Sequence, residues 1–147
     1  MFADRLRASE SSVALAHPNL RGDVTRMTPE TISLDEKFAS IGEHWQPRII
    51  GELNGQHVKV AKLLGEFMWH RHEDEDELFL VHRGELRIEF RDRTVTLGPG
   101  EMVIVPRGAE HRPIADEEVE LVLFEPAGTL NTGDVVNERT VANPAHL

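Results

Sequence analysis

The chain has 147 residues, 26 Asp and Glu against 16 Lys and Arg, a net charge of −10 and no cysteine. That length suits one domain with a core of its own, and the missing thiols exclude disulfide frameworks, thiolate metal sites and cysteine nucleophiles. The acidic balance argues against nucleic acid or an anionic membrane as partner. No apolar run approaches the ~20 residues that span a bilayer, and MFADRLRASESS has no signal-peptide core, so we expect a soluble cytoplasmic protein.

In chain order, residues 1–30 show no clean period and carry turn residues such as His17-Pro18-Asn19 and Gly22-Asp23. An N-terminal arm is expected there, disordered or strand-exchanged with a neighbour. Ser33-Leu34-Asp35-Glu36 forms a capping box, Leu34, Phe38 and Ile41 recur at helical spacing, and Gly42 can close the helix. The spacing predicts one short helix over 34–41, covering an edge or end of a following sheet.

Strand signals take over from about residue 45. Two apolar runs flank Asn54-Gly55, a strong hairpin signal because both positions tolerate positive φ. Leu86, Ile88 and Phe90 alternate with Glu85, Arg87, Glu89 and Arg91, so one face is wet. Those charges, with Arg93, read as cross-strand ion pairs of little energetic weight. Turns at Arg91-Asp92-Arg93 and Gly98-Pro99-Gly100 bound a strand at 94–97, and 102–105 is the next. Residues 106–113 read as a loop or strand edge, 119–124 as a final strand, and 127–147 as a tail with little core of its own. Many short strands between glycine and proline turns argue an all-β sandwich or barrel, over residues 31–126 once the helix is included.

The stretch GEFMWHRHEDEDELFLVHRG, residues 65–84, holds the chemistry. On a strand, i and i+2 share a face, so His70 and His72 project side by side, with Met68 at the same parity and Trp69 opposite. They are either two imidazoles for one ion or polar residues on a surface loop. Glu77 opens the next apolar run, with Phe79 at its parity, and is a reasonable third ligand. Glu73–Asp76 read as a solvated turn. His111 follows Pro106-x-Gly108, a turn able to bend a side chain inward. Among the other histidines, His44 and His57 read as structural, and His82 as an exposed residue of a Val81-His82-Arg83-Gly84 turn. Trp45 reads as packing. Lys62 or Glu66 could reach a cavity mouth. With no tyrosine, and no serine near these segments, nucleophilic catalysis is disfavoured.

These segments resemble the two motifs of the cupin superfamily. The first, G-x5-H-x-H-x3,4-E-x6-G, is met by His70-x-His72-x4-Glu77-x6-Gly84, with four residues rather than five between Gly65 and His70. The second, G-x5-P-x-G-x2-H-x3-N, is met from Gly100 to His111, and its closing asparagine falls on Ala115. The resemblance covers roughly residues 45–125. It implies a double-stranded β-helix, the jelly-roll-like cupin barrel. It also implies one divalent metal per chain held by His70, His72, Glu77 and His111, and a homodimer. Nitrogen and oxygen ligands suit Fe, Mn, Ni, Zn or Cu. The resemblance implies a small polar molecule as partner, transformed by dioxygenase, decarboxylase or sugar-isomerase-like chemistry, or else a ligand-binding or structural barrel with no turnover. Met68 and Phe79 have the parity to line its pocket.

Overall fold

The computed structural model describes residues 29–147, so nearly all of the expected arm over 1–30 lies outside the described residues. The Ser33 hydroxyl accepts from the Glu36 amide at 3.3 Å, as the capping box requires, and α1 runs Leu34–Ala39. The helix stops before Gly42, at Ser40, whose amide returns to the Lys37 carbonyl at 3.2 Å while the Ile41 amide returns to that of Phe38 at 3.1 Å.

Seven antiparallel strands follow: β1 (Arg48–Leu53), β2 (Gln56–Glu66), β3 (Glu77–Arg83), β4 (Leu86–Phe90), β5 (Thr94–Leu97), β6 (Met102–Val105) and β7 (His111–Pro126). They pair in the order β1-β2-β7-β3-β6, with β4 joining β7 and β5 joining β4. The Asn54-Gly55 hairpin forms as expected, both residues at positive φ (51° and 77°). Gly84 (φ 88°) is needed for two reasons: its backbone lies in the left-handed region, and an added Cβ would sit 2.6 Å from the Glu118 carbonyl oxygen.

The long strand β7 organises the barrel. It pairs with β2 along its length, with β3 through its C-terminal half and with β4 through its N-terminal half. Sequence alternation locates only 119–124, because Asp116-Glu117-Glu118 interrupts the pattern. Those three exposed residues bulge out where Leu63 pairs with Val119 and Gly65 with Ala115. The stretch expected as loop or strand edge therefore ends in strand, beginning at His111.

Inward alternation fills the barrel with Ala61, Leu63, Phe79, Val81, Leu86, Ile88, Val119, Leu121 and Leu123. Phe38 and Ile41 of the helix segment pack on Val60 and Val122, which stand on the opposite face. The helix thus covers the outer face of the sheet, not an edge or end, because β2 and β7 carry apolar residues on both faces. Residues 127–147 return to the barrel. Thr129 and Thr132 are buried, the Leu147 amide donates to the Ile49 carbonyl at 2.9 Å, and Gly133 (φ 54°) lies so close to the Arg71 carbonyl that a Cβ would collide with it. Among the described residues, no helix is long and apolar enough to cross a membrane.

Candidate metal centre and cavity

His70 and His72 lie in the extended segment between β2 and β3, which the tail and β7 hold in place. The His70 amide donates to the His111 carbonyl at 3.0 Å and the His111 amide returns to the His70 carbonyl at 2.9 Å. The Gly108 amide donates to the His72 carbonyl at 2.7 Å, and the Asp134 amide to the Arg71 carbonyl at 2.9 Å. This pairing brings the two motifs together. Glu77, first residue of β3, faces the same interior as Phe79 and Val81.

The four side chains converge. One ligand atom from each of His70, His72, Glu77 and His111 lies within 4.8 Å of the others, and all four residues are buried. His70 Nδ1 lies 3.0 Å from the Met68 carbonyl oxygen and His111 Nδ1 2.9 Å from that of Ala109. An Nδ1–H donated to each carbonyl fixes the tautomer that leaves Nε2 a free lone pair, the usual outer-shell device for a ligating histidine. Glu77 Oε2 sits 3.1 Å from His72 Nε2 and 3.5 Å from His111 Nε2, yet none of these three buried atoms has a properly directed hydrogen-bond partner among the described residues. Buried polar groups are normally satisfied. Three unsatisfied lone-pair atoms facing one point are what a cation would repair, and the nitrogen–oxygen set suits a divalent transition ion.

The electrostatics agree. Burial pushes His70 down to about 4, and the neighbouring His111 adds to the effect. Burial also opposes the Glu77 charge, but His111 and His72 outweigh it and hold the carboxyl far below its ordinary range. Burial disfavours a charged His72, while the Glu77 carboxylate more than compensates and raises it. The cluster therefore keeps an ionised carboxylate beside an imidazole, His70, that resists protonation.

A cavity opens beside the cluster. His70, Glu77 and Glu125 give it polar groups, and Trp45, Phe67, Phe79, Leu121 and Leu123 are among its apolar walls. Phe79 therefore lines the cavity. Met68 does not; its sulfur accepts from Asn137 Nδ2 at 3.3 Å. Trp69 turns outward beneath the Arg91 guanidinium, 3.8 Å from the ring centroid. Lys62 and Glu66 face Glu118 and Arg112 and do not reach the cavity. His82 is no turn residue: it lies in β3, meets Asp35 at 2.7 Å and stacks on Phe38.

Sequence reasoning missed Glu125 and the double role of Trp45, which stacks on Phe67 at 4.8 Å while walling the cavity. Lys59 Nζ donates to Glu125 Oε1 at 2.8 Å, each side chain only 2% exposed. Burial, and the nearby Glu77 charge, push Glu125 up to about 8, against the pull of Lys59. Parity was the available signal: Glu125 continues the inward series Val119, Leu121, Leu123, and Lys59 precedes Ala61 and Leu63 in theirs.

Known proteins agree with the architecture. The cupin domain family matches residues 57–125. A cupin-2 domain-containing protein from Shewanella frigidimarina NCIMB 400 superposes with TM-score 0.65 at 46% identity, covering 65% of this chain and 94% of that one. Protein NMB1881 from Neisseria meningitidis gives 0.62 at 37% identity, over 67% of this chain and all of its own. The uncharacterized protein YdbB of Bacillus subtilis (strain 168) is 44% identical over 64 residues, 43% of this chain. That match spans 57% of YdbB, little more than half its length.

Proposed function

The chain belongs to the cupin superfamily, and on that footing we propose that His70, His72, Glu77 and His111 hold one divalent metal ion beside a cavity for a small molecule. One observation carries the reading: Glu77 Oε2, His72 Nε2 and His111 Nε2 are buried together without hydrogen-bond partners among the described residues. The fold supplies such a set at the cost of leaving polar atoms unsatisfied, about 1–3 kcal/mol each, which a bound cation offsets.

When bound, the ion would supply Lewis acidity to an oxygen-bearing ligand. The chain's own groups do the rest. The Met68 and Ala109 carbonyls orient His70 and His111. Glu77 gives the site a negative charge where burial would otherwise discourage one. Trp45, Phe67 and Phe79 keep the cavity walls apolar and so exclude water from the ligand. Glu125 is the one carboxylate besides Glu77 among the described residues lining the cavity. We commit to metal and ligand binding as the function.

Elemental analysis tests this directly. The parent protein, purified and also reconstituted with Fe(II), Mn(II), Ni(II) and Zn(II), should hold about one metal per chain, and a His70→Ala/His72→Ala variant none. A parent that takes up no metal under any of these conditions sinks the proposal.

A further inference from the structure

Glu125 is the buried group that the metal centre does not use. Its Oε1 accepts from Lys59 Nζ at 2.8 Å, while Oε2 is buried and has no partner among the described residues. Lys59 makes one further contact, a 3.4 Å hydrogen bond to the Thr129 carbonyl, and so remains with the chain. The carboxyl lines the same cavity as His70 and Glu77. Asn131, an uncharged polar residue of the lining, is already engaged: its amide nitrogen donates to the Arg139 carbonyl and its oxygen accepts from the Val141 amide. The rest of the lining is hydrocarbon and aromatic ring.

We propose that Glu125, held by Lys59, is a ligand-recognition residue that seats a hydroxyl group of a small, largely apolar hydroxy compound bound in the cavity. A hydroxyl both donates and accepts, so it completes the carboxyl whether or not that carboxyl carries a proton. The apolar walls reward a hydrocarbon or aromatic body, and the orphan oxygen penalises a ligand that leaves it unmet. Sites built to bond a hydroxyl discriminate strongly against the analogue lacking it, because the buried protein group is then left unpaired. The inference rests on the metal-centre reading only for the direction of the ligand's other oxygens; the Glu125 contact stands without an ion.

The test therefore uses metal-free protein and two probes of nearly equal shape, benzyl alcohol and ethylbenzene, titrated by calorimetry and by tryptophan fluorescence. The variant is Lys59→Met/Glu125→Leu, which removes both charges and keeps the volume. Replacing a buried ion pair in this way is commonly neutral or stabilising, so the barrel should remain folded, as circular dichroism will show. The expected result is a preference for the alcohol, expressed as the ratio of the two dissociation constants, that falls at least tenfold in the double variant. Comparing ratios cancels the greater intrinsic hydrophobicity of ethylbenzene. A ratio that does not change overturns the proposal and assigns Oε2 to a proton shared with Glu77. A parent cavity that binds neither probe also overturns it. Where the double variant does not fold, Lys59→Leu/Glu125→Met takes its place, with the same tenfold fall in the ratio expected and an unchanged ratio overturning the proposal. Metal content, measured on the same samples after reconstitution, reports separately: one ion per chain with no hydroxyl selectivity rejects only the Glu125 role, whereas no ion with selectivity intact rejects only the metal centre.

Discussion

Two buried regions of this barrel answer the same physical problem in opposite ways. Around Val81, Leu86, Ile88 and Val119 every side chain is hydrocarbon and wholly excluded from solvent. Around His70, His72, Glu77 and His111 burial is nearly as complete, but the buried atoms are polar and three of them lack partners. The first region gains free energy by leaving water. The second loses some and gains geometry: four ligand atoms held by strand pairing rather than by each other. Burial by itself does not mark this site; unsatisfied atoms of several residues converging on one point do.

The largest effect should come from breaking the hydrocarbon side. Leu86→Ala removes buried methylenes from a strand pinned by Gly84 and should cost about 2–5 kcal/mol in chemical denaturation. The metal stoichiometry of the folded fraction should not change, since Leu86 is not among the four proposed ligands. A variant that keeps its stability would mean the core relaxes around Leu86 and the contrast between the regions is false.

Protonation sharpens the contrast from the polar side. In metal-free protein the unfolded chain takes up a proton on His70 below about 6.5, but the folded chain does so only below about 4. Between those values the unfolded state binds more protons, so stability falls as pH drops. From pH 7 to pH 4.5 the loss is about 2.5 kcal/mol, since each pH step of one inside that window shifts the folding balance tenfold, or about 1.4 kcal/mol. His72, raised by Glu77, works the other way: it adds stability below its unfolded value, and that stability fades as pH rises through its folded value. Glu77, held low, matters only below about 4.5. A His70→Asn variant removes the first contribution alone. The metal-free parent should therefore lose about 2.5 kcal/mol more than this variant over the interval, and parallel losses would show that His70 is not the group excluded from protonation.

The same contrast explains what could be read from the sequence. The barrel was legible because half-buried strands alternate and because Asn54-Gly55 and Gly98-Pro99-Gly100 mark their turns. The polar cluster was legible because histidines two apart on an extended segment share a face, and because the glycine and proline spacings around them match a known pattern. Lys59 and Glu125 were harder. Each stands in a strand whose inward series is otherwise apolar, and each is explained only by the other, 66 residues away. The placement of α1 on the outer face was hidden for a related reason: Val60 and Val122 meet Phe38 only after β2 and β7 have paired. The N-terminal half of β7 was lost to the bulge at Asp116–Glu118, which looks like a loop until its two flanks are seen to pair with the same partner.

The smallest effect should come one residue from a proposed ligand. Arg112 follows His111 in β7, and alternation sends it to the opposite face. There its guanidinium gives Glu89 Oε2 two hydrogen bonds, at 2.7 and 3.1 Å, and reaches Glu66 at 3.4 Å. Arg112 and Glu89 are each about a quarter exposed, so water and salt screen the pair, and such contacts are worth at most about 1 kcal/mol. Arg112→Met keeps the aliphatic stem and removes the charge. It should lower stability by less than about 1 kcal/mol, with a difference that shrinks further in high salt, and leave metal stoichiometry at one per chain. If Arg112→Met instead empties the metal site, the outward face is holding His111 in register. The boundary between the structural surface and the chemical interior would then not run, as strand parity requires, between two neighbouring residues of one strand.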